Sequence, residues 1–246
     1  MNTENDTCDL HYCERINTDI NLCFVNIHEF IRQYMVGVSV DTYRSSKNVN
    51  LDKSFFKKEI LSKEEIDFIN TFKTLKKQVE WTCGRFAVKT LVISHEVSNF
   101  TPYNYDDVTV SYRKEGAPYL KDFPDYRISI SHSKEYALAG LCTNPAVSFG
   151  LDIEKIVFND VNPVINVAFS DKEIKNFQDM THAMIYKDFT LKEAFLKYIK
   201  KGFNESLKKI EIINGKIYWY NELVTNLKVV SKVLKSRYAF SLLYSK

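Results

Sequence analysis

The chain has 246 residues, 45% of them hydrophobic and 26% charged, with a formal net charge of +3 at pH 7. That length supports one large domain or two small ones with an ample core, and the balance is that of an ordinary soluble globular protein. So small a net charge argues against a nucleic-acid binder, and no run approaches the roughly 20 apolar residues of a membrane span. The start, Met1-Asn-Thr-Glu-Asn-Asp, lacks the basic and apolar regions of a leader peptide, so a cytoplasmic protein is expected. Cys8, Cys13, Cys23, Cys83 and Cys142 show no paired short spacing, which disfavours a disulfide framework or a zinc site and fits free thiols.

The first 60 residues carry no usable pattern. Ser62-Lys-Glu-Glu65 then has the form of a capping box, Ser62 taking the N3 amide and Glu65 reaching back, and predicts a helix over about 63–75. A second helix is expected over about 79–97, where Trp81, Ala87, Val88, Leu91 and Val92 form an apolar stripe, with Arg85 and Lys89 one turn apart on another face. The alternation from Val108 to Arg113 reads as a strand, Glu115-Gly-Ala-Pro118 as a turn, and Arg127–Ser131 with Tyr136–Cys142 as a hairpin around His132. No low-complexity segment or Gly/Ser linker interrupts the chain.

In the second half, Val147 to Glu154 alternates with period two, so a strand there puts Asp152 and Glu154 on one face and Leu151 and Ile153 on the other. Ser170-Asp-Lys-Glu173 is another capping box, predicting a helix to about 179, and a longer helix is expected over about 183–201, ended by Gly202 in the left-handed conformation. Its 3.6-residue period sets Phe189, Glu193 and Lys197 in one row. Packed strand against helix, three carboxylates converge, each pair at about 4 Å repelling by roughly 4 kcal/mol at an effective dielectric near 20. Such a cluster calls for a divalent cation. Residues 186–209 also hold seven lysines against three acids, either a solvated helix face or a dock for phosphate or an acidic partner. Strands at about 207–213, 216–220, 226–232 and 237–244 close the chain. The fold class is therefore α+β, two similar halves over 1–143 and 144–246, each with helices followed by an antiparallel meander.

Gly150-Leu-Asp-Ile-Glu154, followed some forty residues later by Lys192-Glu-Ala-Phe-Leu-Lys197, resembles the paired signature of the 4′-phosphopantetheinyl transferases, G-x-D-I-E and K-E-A/S-x-x-K. Ser129-Ile-Ser-His-Ser133 is similar to the family's S-H-S strand end, Trp81 to Lys89 resembles its G-R-x-A-A-K helix, and Gly116-Ala-Pro118 takes the place of its G-K-P turn. The length resembles the larger, surfactin-type (Sfp-type) monomeric branch, a pseudo-dimer with the coenzyme A site between its halves.

The resemblance implies transfer of the phosphopantetheine arm of coenzyme A to a serine of an acyl or peptidyl carrier protein, releasing adenosine 3′,5′-bisphosphate, by a cytoplasmic monomer needing no nucleic acid or membrane. Asp152, Glu154 and Glu193 would hold Mg²⁺, with Mn²⁺ as the alternative, and Glu193 would take the serine proton. Asp152, Glu193 and Lys197 are thus the catalytic set, Lys197 holding the phosphate under attack. His132, Ser131, Arg85, Lys89 and Lys192 are the coenzyme A candidates, with Arg15, Arg32 and Arg44 as further cations for the nucleotide. Two departures stand out: the lysine of the G-K-P turn is Ala117, leaving its contact to Lys114 or Lys121, and Phe189 replaces a frequent tryptophan. The alternative is a module that binds coenzyme A or a carrier without catalysis.

Overall fold

The computed structural model describes residues 9–44, 49–97, 103–201 and 205–246. Among them run β1 (His11–Arg15), β2 (Ile20–Asn26), α1 (Ile27–Tyr34), α2 (Val40–Tyr43), α3 (Lys63–Ile69), α4 (Leu75–Val97), β3 (Val110–Tyr112), β4 (Pro118–Leu120), β5 (Arg127–Ser133), β6 (Tyr136–Cys142) and β7 (Phe149–Lys155). They are followed by α5 (Asn162–Ala168), α6 (Asp171–Ile174), α7 (His182–Tyr198), β8 (Ile210–Ile213), β9 (Lys216–Trp219), β10 (Glu222–Leu223), β11 (Leu227–Leu234) and β12 (Tyr238–Ser245). The chain is a mixed α and β protein of several small sheets, and it separates into two compact units. One holds the described residues up to Ser111 with 120–124 and 135–141; the other holds 112–119, 125–134 and 142–246.

In the first unit β1 pairs antiparallel with β2, from His11 opposite Val25 to Arg15 opposite Asn21, and β6 lies on the other side of β2. Both strands β2 and β6 are buried almost throughout, so they read as continuous apolar runs without alternation. The Asn26 side chain caps α1 by accepting the N–H groups of His28 and Glu29. Helix α4 packs on β2 and is buried along most of its length. Its start lies at Leu75, ahead of the expected Val79, because the Thr74 hydroxyl accepts the N–H of Lys77 at 3.2 Å. The preceding helix, α3, stops at Ile69 rather than running to 75, with Asn70 as its C-cap.

In the second unit a three-stranded antiparallel sheet has the order β11-β12-β7, with Asp152 opposite Ser241 and Glu154 opposite Ala239. A smaller sheet has the order β10-β9-β8. Helix α7 packs on β7 and β12, its Ala194, Phe195 and Leu196 joining Phe169, Ile210, Ile217 and Leu243 in one core cluster. Phe189 packs against the same cluster. The expected helix to 179 is shorter than its pattern suggested: α6 ends at Ile174, and a 3₁₀ turn follows at 177–179. Helix α5, with a proline in its first turn, was not expected from the sequence. Helix α7 ends at Tyr198, capped by Ile199, and the left-handed residue after it is Lys200 at φ 56°. The expected cap, Gly202, lies outside the described residues.

Each unit contains one buried ammonium held in the same way. In the first, Ser62 and Glu65 form the capping box, Lys89 Nζ donates to Glu65 Oε2 at 2.5 Å and to the Ile60 carbonyl at 2.7 Å, and Val110 N–H donates to Glu65 Oε1 at 3.1 Å. In the second, Ser170 and Glu173 form the box, Lys192 Nζ donates to Glu173 Oε2 at 2.6 Å and to the Ala168 carbonyl at 2.7 Å, and Ile212 N–H donates to Glu173 Oε1 at 2.8 Å. In both, the carbonyl that accepts belongs to the residue two before the capping serine. Lys89 and Lys192 are both fully buried. A buried charge demands such complete pairing, because an uncompensated ion in the interior costs several kcal/mol, on the order of 3–5 for a broken pair.

Candidate active site

The site grows from the contact between β7 and α7. Gly150 sits where a β-carbon would lie 2.5 Å from Tyr198 N and closer still to the Ala194 carbonyl oxygen. Only glycine allows the strand backbone this close to the helix backbone. That approach brings the Lys197 side chain onto Asp152, two residues beyond Gly150: Lys197 Nζ donates to Asp152 Oδ1 at 2.8 Å. Asp152 is 4% exposed, while Lys197 remains 27% exposed at its side chain. The other Asp152 oxygen, Oδ2, is buried with no hydrogen-bond partner among the described residues.

Strand β5 approaches β7 through serine side chains. Leu151, Ile153 and Lys155 donate their backbone N–H groups to the hydroxyl oxygens of Ser129 (3.2 Å), Ser131 (3.4 Å) and Ser133 (2.9 Å). Two of those hydroxyls donate onward, Ser131 to Asp152 Oδ1 at 2.6 Å and Ser133 to Glu154 Oε2 at 2.7 Å. All three serines are buried, and the alternation of β5 puts His132 on the opposite, exposed side of the strand.

Burial and the Asp152 carboxylate push the Glu193 carboxyl up to about 7, against the pull of Lys197. Burial and then Asp152 raise Glu154 to about 7 as well, with the Ser133 hydrogen bond and Lys197 opposing and Glu193 adding to the rise. Three acids therefore share one electrostatic neighbourhood, as the two periodicities predicted. They do not stand as a finished metal shell, for among the described residues no three potential ligands are close enough together to hold an ion. Lys197 and Ser131 both bond Asp152 Oδ1, which leaves Oδ2 as its free acceptor. The donor chemistry nevertheless fits a hard divalent cation, which prefers carboxylate oxygens: three acids, two of them held partly protonated near neutrality, and one buried oxygen without a partner.

The remaining sequence candidates go elsewhere. Lys89 and Lys192 direct their ammonium groups into the unit interiors, onto Glu65 and Glu173, instead of toward a ligand. The reason is tertiary: each capping-box glutamate is buried at the start of another helix and pairs with the lysine that packs against it. Arg85 is 2% exposed, its guanidinium carbon 3.7 Å from the centroid of the Trp81 ring. Ser131 bonds Asp152, so its hydroxyl hydrogen is not directed at a phosphate. Arg113 lies 5.0 Å from the Tyr119 ring centroid beside the turn that carries Ala117, and burial, Arg127 and Arg113 all lower the Lys200 ammonium. That cationic patch was not singled out from the sequence, and neither was the bonding of Ser129, Ser131 and Ser133 to β7, whose signal is the Ser-x-Ser-x-Ser spacing itself.

Residues 148–240 match the family model described as the 4′-phosphopantetheinyl transferase superfamily. The chain is 33% identical over 119 residues to the holo-[acyl-carrier-protein] synthase of Petrotoga mobilis, covering 42% of this chain and 91% of that protein. It is 28% identical over 110 residues to the holo-[acyl-carrier-protein] synthase of Acholeplasma laidlawii, 43% of this chain and 92% of that one. Against the human L-aminoadipate-semialdehyde dehydrogenase-phosphopantetheinyl transferase it is 29% identical over 164 residues, 60% of this chain; the match spans about half of the human protein, 51% of its length. With near-complete coverage of the Petrotoga protein, and with Gly150, Asp152, Glu154, Glu193 and Lys197 inside the matched segment, the chain belongs to the 4′-phosphopantetheinyl transferase superfamily.

Proposed function

We propose that this chain transfers the 4′-phosphopantetheine group of coenzyme A to a serine hydroxyl of an apo acyl or peptidyl carrier protein, releasing adenosine 3′,5′-bisphosphate. The observation that carries the reading is the seating of Lys197 on Asp152 across the Gly150 contact, beside Glu154 and Glu193. Family membership and the activities named for its relatives support the reaction class.

Asp152, Glu154 and Glu193 are the residues that would hold a divalent cation, Mg²⁺ or Mn²⁺. Bound there, the ion supplies Lewis-acid neutralisation of pyrophosphate charge. Glu193, beside Asp152 on the facing helix, would accept the proton of the incoming serine, directly or through a water. The serine oxygen forms a bond to the phosphorus bearing the pantetheine arm, and the bond from that phosphorus to the adenosine-side phosphate oxygen breaks. Lys197 has flexible reach and partial exposure, and turns from Asp152 to the phosphate under attack, where its charge offsets the developing negative charge. His132, exposed at the end of β5, is a candidate contact for a coenzyme A phosphate.

The paired capping boxes with their buried lysines support an internal duplication, two halves over 1–143 and 144–246 in the manner of the Sfp-type branch, with coenzyme A between them and one chain acting as a monomer. We propose a cytoplasmic location; among the described residues no helix is long and apolar enough to cross a membrane. The test is direct: incubate the chain with coenzyme A, Mg²⁺ and apo carrier proteins of fatty-acid and peptide type, and read the carrier's intact mass. Addition of one phosphopantetheine arm is expected; no addition to any carrier, with the chain folded, overturns the reading.

A further inference from the structure

We infer that Ser131 and Ser133 are positioning residues that lock the two β7 carboxylates into the orientation the site needs, an inference that rests on the metal-dependent reading above. A hydroxyl has one hydrogen to donate and two lone pairs to accept with. On each of these serines the oxygen accepts the N–H of the β7 residue that follows a carboxylate, Ile153 after Asp152 and Lys155 after Glu154. The hydroxyl hydrogen then turns to that carboxylate, Asp152 Oδ1 at 2.6 Å and Glu154 Oε2 at 2.7 Å. Each serine thus ties one acid side chain to the backbone amide next to it.

Ser129 provides the internal comparison. Its hydroxyl accepts the Leu151 N–H in the same way, but the residue before Leu151 is Gly150, which has no side chain to orient. The three serines therefore share one role toward the β7 backbone, and only two of them act on acids. Because Ser131 and Ser133 bond one oxygen of each acid, the second oxygen is aimed by the clamp, and on Asp152 that second oxygen is the buried, unpartnered Oδ2. Groups that orient a ligand side chain in this way typically govern metal affinity by about 10–100-fold.

The experiment compares S131A, S133A, S131T, S133T and S129A with the wild type by Mn²⁺ titration followed by electron paramagnetic resonance, by thermal melting, and by transfer kinetics with separate KM values for coenzyme A and carrier. Expected are a Mn²⁺ affinity about 10-fold or more weaker in S131A and S133A, a lower kcat, and an unchanged KM for the carrier. Restoration is expected in the threonine variants, which keep the hydroxyl. S129A is expected to lower the melting temperature while leaving Mn²⁺ affinity as in wild type. Wild-type affinity in folded S131A and S133A overturns the positioning role, as does equal weakening in S129A. Should an alanine variant fail to fold, the threonine variant decides: weakened Mn²⁺ binding with its hydroxyl retained overturns the role. A wild type that binds no Mn²⁺ overturns the metal reading itself, and this inference with it.

Discussion

Lys197 and Asp152 form an ion pair in which the acid is buried and the lysine half-emerges, Nζ to Oδ1 at 2.8 Å. A cation that partners a buried acid yet retains exposure can be exchanged for a substrate phosphate without unfolding anything around it. Lys197→Ala is therefore expected to lower the transfer rate by about 10²–10³-fold, the size of loss typical when one preorganised charge is removed from a transition state. Melting temperature should change by only a few degrees. A rate within threefold of wild type would move the phosphate role off Lys197.

Gly150 makes that pair possible, and Gly150→Ala tests the contact. The added carbon overlaps the backbone of α7 at Ala194 and Tyr198, and neither backbone atom can swing aside as a side-chain tip would. The helix has to shift, and Glu193 and Lys197 shift with it. Loss of transfer by about 10²-fold or more is expected, since small misplacements of catalytic groups cost that much. Circular dichroism should show a folded chain with a lower melting temperature. Full activity in a folded Gly150→Ala chain would show that the strand–helix spacing is not what assembles the site.

Much of this geometry was legible in the chain itself. Asp152 and Glu154 lie on one face of a strand, and Glu193 and Lys197 one turn apart on a helix, because the periods of 2 and 3.6 act locally. The capping boxes at Ser62 and Ser170 were legible for the same reason. Lys89 and Lys192 were not, because what decides a lysine's direction is the buried acid it meets from another part of the chain, Glu65 or Glu173, and no periodicity encodes that meeting. Strand β2 escaped notice because Leu22 to Val25 is buried on both faces and shows no alternation. The serine ladder of β5 is equally tertiary: Ser-x-Ser-x-Ser reads as a polar strand face until the amides of β7 lie against it.

The two raised carboxyls give the metal-free protein a distinctive pH response. Glu154 and Glu193 titrate near 7 when folded and near their ordinary value of 4.5 when unfolded. Between those values the folded state keeps protons that the unfolded state has released, so stability falls as pH rises from about 4.5 to 7 and levels off above. In EDTA, the wild-type melting temperature should drop across that window by several degrees more than that of Glu193→Gln, in which Glu154 alone of the two still titrates. Added Mg²⁺ should restore the wild type at pH 7–8 and the variant much less. Equal slopes for the two proteins in EDTA would show that Glu193 does not carry the shift.

Lys192 separates a structural lysine from a ligand-binding one. Burial lowers its ammonium and Glu173 raises it, and the pair also organises the start of α6 and the N–H of Ile212. Removing the cation leaves Glu173 buried beside no charge, so Lys192→Ala is expected to destabilise the fold by about 3–5 kcal/mol. The double replacement Lys192→Met with Glu173→Gln removes both charges, keeps the volume, and should recover much of that loss. A coenzyme A ligand behaves oppositely: the single variant stays stable and its KM for coenzyme A rises, and the double variant recovers nothing. Urea unfolding of the two variants, with KM measured on whatever remains folded, distinguishes the cases. Lys89 with Glu65 should follow the same pattern in the first unit, since its ammonium is likewise held by a capping-box glutamate and by the carbonyl two residues before the capping serine.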